Sequence, residues 1–239
     1  MRSIRRTLDR DLIRDIGLVC LADGVVGISF GAIAVSSGFP LWFPMLLSLL
    51  VFAGAAQFLF VGVVASGGNP VAAVLAGLLV NARHVPFGFA VGEVLGTSWA
   101  RRVAGTHLMI DETVAFALAE REGERRRAAY WACGIGLFLC WNLGVVIGGF
   151  GGAAISDPAA LGLDAAFPAV LLALLLPSLR DPAALRATLI GAAIALATAP
   201  FLPAGLPVLL ALGGVLAAFG ADRRSAGPNE SACREETPC

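Results

Sequence analysis

Apolar residues run through this chain in long, unalternating stretches, separated by short polar or charged breaks. No Asp, Glu, Lys or Arg occurs in the 59 residues from Gly24 to Ala82, and 29 further charge-free residues run from Ala128 to Ser156. Another 15 run from Ala165 to Leu179, and 35 from Ala187 to Ala221. A helix that crosses a bilayer needs roughly 20 apolar residues. Strands of a membrane barrel would be alternating segments of about 10. The pattern therefore predicts an all-α, polytopic membrane helix bundle of seven to eight spans, with at least one discontinuous helix. Spans are expected at about Ile16 to Ser36, Leu41 to Ala65, Val71 to Val91, Ala128 to Phe150, Leu161 to Leu179, Ala183 to Ala199 and Leu206 to Gly220. Thr106 to Ala119 is short and half-polar; it makes eight spans if it crosses and seven if it is re-entrant.

Three regions follow. Residues 1–15 form a cytoplasmic N-terminal segment, 16–220 a single transmembrane domain, and 221–239 a polar, disordered tail. Ala34-Val35-Ser36 offers a signal-like cleavage site, but the apolar run continues directly into another span, so the first span is read as uncleaved. Cytoplasmic loops retain positive charge. With the N-terminus inside and Thr106 to Ala119 crossing, the inside loops hold Arg121, Arg125, Arg126 and Arg127, then Arg180 and Arg186, then Arg223 and Arg224. Arg101 and Arg102 are the exception, since they fall outside. This arrangement favours eight spans.

Composition narrows the class further. Of 239 residues, 58% are hydrophobic and 14% charged, and mean hydropathy is +0.83. Soluble domains carry about 25% charged residues. A soluble enzyme, a DNA-binding protein and a secreted disulfide scaffold are excluded. The five cysteines include no CxxC pair, so no metal is expected. The absence of a GxxxxGK[ST] phosphate loop argues against direct ATP use, and no cofactor is expected.

Polar residues inside the apolar runs are the candidates for chemistry, because each costs free energy in hydrocarbon. Gly24, Gly27 and Gly31 make one smooth face of the first span. They serve either close helix packing or exposure of backbone to a substrate. Asp23 lies beside them, at the interface or as a buried proton carrier. Gln57 is an amide deep in the second run, where it bonds a neighbouring helix or contacts substrate or water. Asn81, Arg83, His84 and Pro86 fall within six residues of the third span. Pro86 cannot donate to the carbonyl of Ala82, and such broken helices build binding sites in transporters. His107 and Asp111 are spaced i, i+4, but two ligands do not make a metal site. Asp111 and Glu112 are candidates for an Arg83 partner, a proton site or an ammonium contact, or for a solvated interfacial face. Trp141 and Asn142 mark a polar point beside Gly144, Gly148 and Gly149.

Four blocks in order, Gly27-Ile28-Ser29-Phe30-Gly31-Ala32, Ser48-Leu49-Leu50-Val51-Phe52-Ala53-Gly54-Ala55-Ala56-Gln57-Phe58, Asn81-Ala82-Arg83-His84 and Asp111-Glu112-Thr113, resemble the AzlC family of branched-chain amino-acid permeases. The likeness spans about Gly24 to Leu118; beyond it, Trp141 and Asn142 are the best local points. Asp23 departs from the small or apolar residue expected there. The resemblance implies a multi-pass exporter of Val, Leu, Ile or analogues in the bacterial cytoplasmic membrane, and a small AzlD-like partner of about four spans.

The leading expectation is thus secondary export of branched-chain amino acids, driven by a proton or ion gradient, and not catalysis. An exporter of another small amino acid or metabolite is the alternative. A membrane-embedded enzyme and a non-transporting scaffold subunit are more remote. Substrate contact is expected from Gly27, Gly31, Gln57, Asn81, Arg83 and His84. Asp111 and Glu112 are the proton or ammonium candidates.

Overall fold

The structure is a computed structural model that describes residues 8–121, 123–154, 172, 176, 178–202 and 206–215. The described residues form helices and no strand. Three segments are long and apolar enough to cross a membrane: Arg10–Ser36, Pro70–Leu95 and Glu124–Ala153. The span expected at Leu161 to Leu179 lies almost wholly outside the described residues, as do residues 1–7 and the 221–239 tail.

Helix α1 (Arg10–Ser36) starts six residues before the apolar run, because Asp9 caps it: its carboxylate accepts from the Leu12 amide at 3.0 Å. Helix α8 (Glu124–Ala153) lies beside α1 and runs in the same direction. Glycines on both helices bring the backbones into contact. A Cβ on Gly31 would collide with the Val145 carbonyl oxygen, and one on Gly148 with that of Ile28. Gly27 likewise faces the backbone of Trp141. The glycine face of the first span is therefore a packing face against α8. Asp9 and Arg125 join the starts of the two helices by an ion pair of 2.7 Å.

Between these two helices the chain enters the bundle twice without crossing it. The run expected to cross from Leu41 to Ala65 is divided into α2 (Trp42–Leu50) and α3 (Gly54–Ala65). Phe43 of α2 stacks on Phe60 of α3, with ring centroids 5.8 Å apart. A chain running straight on would separate these residues by about 25 Å, at ~1.5 Å per residue. The run therefore turns back at Val51–Ala53, where the backbone leaves the helix at Val51. Gln57 stabilises the turn, since its amide nitrogen donates to the Val51 carbonyl. Ser48 donates to Asn142 of α8 at 2.7 Å and anchors the descending arm.

The chain then crosses. Helix α4 (Pro70–Asn81), capped by Asn69, packs antiparallel to α3. Helix α5 (His84–Val91) and a 3-10 turn (Gly92–Leu95) complete the crossing. The break between α4 and α5 is a tight turn, not a reversal. The Ala82 carbonyl, expected to be free because of Pro86, accepts from the Val85 amide at 3.1 Å. Glu93 ends the crossing with an ion pair to Arg126 at 2.7 Å, at the same end as Asp9 and Arg125.

Helices α6 (Trp99–His107) and α7 (Asp111–Ala119) form the second re-entrant hairpin. At its base Glu120 pairs with Arg125, and in the last turn of α6 the Gly105 carbonyl accepts from Tyr130 of α8 at 2.8 Å. Leu108, at its tip, packs over Gly134 farther along α8. The hairpin thus rises from the arginine-rich end and returns to it, whereas α2–α3 enters from the opposite end. Thr106 to Ala119 is thus divided between the two arms of this hairpin. With two re-entrant hairpins in place of one, Arg101 lies beside Arg127, so the Arg101–Arg102 pair joins the starts of α1 and α8, tied by Asp9 and Arg125, at one end of the described bundle. The exception in the charge pattern disappears. Helix α9 (Pro182–Thr198), capped by Asp181, packs with α10 (Leu206–Leu210), which touches α4.

Candidate functional site

The tips of the two hairpins meet in the middle of the bundle. Phe52, at the first tip, lies 6.4 Å from the His107 ring at the second, and both rings pack on Phe138 of α8 at 5.2 and 5.7 Å. Beside the tips is a cavity of about 310 Å³, within the range of small-molecule sites. Its wall comes from every part of the bundle core: Asp23 and Val26 of α1, Phe52, Gly54, Ala55 and Phe58 of the first hairpin, Arg83, then Ile110, Asp111 and Glu112 of the second hairpin, and Trp141 of α8.

The local sequence explains why these groups converge. Gly54 begins α3 where the Trp141 ring passes; a Cβ there would stand 2.9 Å from the ring edge. Trp141 stacks on Phe30 at 5.9 Å, and Phe58 packs edge-on against Phe30 at 5.2 Å, so the aromatic wall is rigid. Arg83 sits in the turn between α4 and α5 and reaches Asp111 at 2.8 Å. That is one of the partners its depth called for. At the second tip, Thr113 accepts from the Ile110 amide at 2.9 Å and donates to the Ile110 carbonyl at 2.8 Å, which fixes the start of α7. Asp111 and Glu112 occupy the first turn of α7, where the helix dipole favours negative charge.

Two helices therefore begin at this cavity, from opposite ends of the molecule. The first turn of α7 carries its own acids. The first turn of α3 has no side-chain cap, and its N-cap position is Ala53.

Arg83, Asp111 and Glu112 are brought together in the cavity wall. Gln57 is 1% exposed and lies behind the wall, tied to Val51, with its carbonyl oxygen buried and unpartnered. Asn81 stands two residues before Arg83 with its side-chain oxygen buried and unpartnered, and its backbone carbonyl meets His84 Nδ1 at 2.8 Å. Gly27 and Gly31 lie at the α1–α8 contact. Among the described residues, no three His, Cys, Asp or Glu side chains converge as a metal site.

Sequence reasoning underweighted Asp23, which lies half-way along α1 and not at its end. The signal was its position eight residues into an apolar run that helix α1 extends at its N-terminal side. Phe52, Gly54 and Ala55 gave no polar signal at all; only the reversal of the chain places them at the cavity. Outside the bundle core, the hydrogen bond from Arg125 holds the Asp9 carboxyl below the usual carboxylate range.

The family described as AzlC protein matches residues 19–155, which is more than half of the chain and contains every cavity-lining residue. The chain is 26% identical over 129 residues to the branched-chain amino acid transport protein AzlC of Bacillus subtilis (strain 168), covering 53% of this chain and 51% of that protein. It is 28% identical over 179 residues to the inner membrane protein YgaZ of Escherichia coli (strain K12), covering 70% and 72%. An uncharacterized membrane protein of Archaeoglobus fulgidus is 28% identical over 174 residues, covering 72% and 76%. The match thus spans about half the length of the Bacillus protein and nearly three quarters of the other two. No solved structure matches. The four sequence blocks lie in the segment that the family match covers or begins, and their residues build the hairpin tips and the helices around them: this chain is a member of the AzlC family.

Proposed function

We propose that the protein exports branched-chain amino acids, or close analogues, through the cavity between the hairpin tips. The observation that carries this reading is one space holding charges of both signs beside an apolar wall. An amino acid with an aliphatic side chain presents those three features. Asp23, Arg83, Asp111 and Glu112 supply the charges, and Val26, Phe52, Phe58 and Trp141 the apolar surface. The name of the Bacillus relative, a branched-chain amino acid transport protein, supports the same cargo.

The arginine-rich end is the cytoplasmic one, by the retention of positive charge on that side. This supports a cytoplasmic N-terminus, and the printed name of the Escherichia coli relative, an inner membrane protein, supports a place in the bacterial cytoplasmic membrane. Hairpins entering from both sides give each side a movable arm at the site, which is what alternating access requires. A proton or ion gradient drives the cycle, and a small AzlD-like subunit completes the transporter.

Proteoliposomes test the reading. Vesicles holding this chain together with the candidate small subunit are expected to move labelled valine down an imposed proton or sodium gradient. Turnover of an added substrate without flux would indicate catalysis, and neither flux nor turnover with both subunits present would leave a scaffold role.

A further inference from the structure

We propose that a second pocket, walled by Arg101 and Arg127 at the arginine-rich end, binds an anionic phospholipid: the two arginines hold its phosphate, and the apolar walls take its glycerol and the start of an acyl chain. This pocket lies apart from the cavity at the hairpin tips and shares no lining residue with it. What it binds is independent of the cargo.

Three elements build the pocket, which measures about 270 Å³. Val94 and Leu95 end the crossing segment Pro70–Leu95, Arg101 lies in the first turn of α6, and Arg127 and Trp131 lie in the first two turns of α8. Gly96 joins the first two elements at φ +81°, a conformation that favours glycine. A Cβ there would stand 3.9 Å from Arg101 Cδ, so the arginine stem passes over the end of the crossing segment. The Trp131 indole donates to the Val94 carbonyl at 3.2 Å, which fixes its ring in the wall. Arg101 and Arg127 are both exposed. Arginine stems cover apolar surface in this way while their charged heads stay at the wet edge.

Charge calls for an anion here. Arg83, Arg125 and Arg126 are each paired with an acid, whereas Arg101 and Arg127 have no ion-pair partner among the described residues. Two cations at one pocket repel unless an anion lies between them. Glu93 and Glu124 line the adjoining space, which shares only Val94 and Arg127 with this one, and Glu93 is engaged by Arg126 at 2.7 Å. Depth identifies the anion. Two segments long enough to cross, Pro70–Leu95 and Glu124–Ala153, have their ends at the pocket, so it stands where hydrocarbon gives way to headgroups. Next to Arg101 and Arg102, Trp99 is 79% exposed and Val103 50%, the mixture of a membrane interface. A lipid phosphate at this level brings apolar matter to apolar walls, and a free phosphate leaves those walls bare. Basic pockets between membrane helices are recurrent sites for anionic headgroups. A lipid held by both arginines bridges α6 to α8 and so braces the second hairpin.

Native mass spectrometry of the purified full-length protein tests the proposal, by titration with dioleoylphosphatidylglycerol, with phosphatidylcholine of the same chains, and with glycerol phosphate. The wild-type protein is expected to hold one phosphatidylglycerol about tenfold more tightly than phosphatidylcholine, and glycerol phosphate is expected not to displace it. Arg101→Gln and Arg127→Gln are each expected to weaken that lipid by about fivefold, the effect of one arginine near a membrane surface. Arg102→Gln removes the same charge beside the pocket and is expected to weaken it by less than about twofold, because Arg102 does not line the wall. All three changes are at exposed positions, and thermal melting checks that each variant is folded. The proposal falls if the two phospholipids bind alike, or if Arg102→Gln costs as much as Arg101→Gln and Arg127→Gln, which would mean diffuse attraction and no site. Displacement of the lipid by glycerol phosphate would also overturn it, and would make the pocket a receptor for soluble phosphates.

Discussion

Gln57 shows how a single buried amide can shape the whole site without touching its contents. Its side chain ties the carbonyl of Val51 at the point where the backbone leaves the helix. That carbonyl otherwise has only a bond from the Ala53 amide two residues on, at 2.8 Å. In hydrocarbon, a carbonyl short of partners costs several kcal/mol. Replacement by leucine, close in volume, removes the donor. We expect Gln57→Leu to destabilise the protein by about 1–2 kcal/mol, the usual scale for a lost buried hydrogen bond. The loss is local: hydrogen exchange quickens at Gly54, Ala55 and Ala56 while α8 keeps its protection. Uniform exchange across both segments would show that Gln57 supports general packing instead.

The polar residues at depth were legible because burying them in an apolar run is costly; Arg83, Asp111 and Glu112 line one space, while Gln57, Asn81 and His84 do not line it. The glycines were legible as a place of close approach. What approaches could not be read from them, since the partner surface is the backbone of α8, more than 100 residues away in the chain.

At the scale of elements, the decisive feature is the reversal at Val51–Ala53. Hydropathy records how deep a residue lies and carries no direction, so a run that goes in and comes back looks the same as one that passes through. No proline or charge marks the turn; Val51 and Phe52 are poor helix formers, and Gly54 makes room for Trp141. The reversal also repairs the charge pattern. A single re-entrant hairpin would put the Arg125–Arg127 segment and the N-terminus at opposite ends; two restore them to the same end. Sided labelling checks this in intact cells. With the native cysteines replaced, single cysteines at Ser37 and Ser66 are expected to react with an impermeant thiol reagent from one side of the membrane. Those at Thr97 and Arg121 are expected to react from the other. Labelling of Ser37 and Ser66 from opposite sides would mean that Leu41–Ala65 crosses after all.

At the scale of the whole molecule, the described residues place three segments long and apolar enough to cross a membrane around two opposed hairpins. The parallel contact of α1 and α8 is glycine-lined and rigid, with backbone against backbone. The hairpins are held through side chains, by Ser48 on Asn142, Tyr130 on Gly105, Arg83 on Asp111 and Glu120 on Arg125, and by the ring contact of Phe52 with His107. A pair of helices joined backbone to backbone and two arms joined through side chains suit a cycle in which the arms move and the pair stays. The resemblance in four short blocks pointed to this family because those blocks build the tips and the cavity wall around them. The later part of the chain is more plainly apolar and carries little of the site among the described residues.

The central claim is that the space beside the hairpin tips holds the cargo, and Ala55 is the place to ask. A cysteine at Ala55, in a protein otherwise free of cysteine, should react with a small water-soluble thiol reagent, and valine should slow that reaction in a saturable way while leaving a cysteine at Ser66 unaffected. Reaction at Ala55 that proceeds at the same rate with and without saturating branched-chain amino acid would contradict the account.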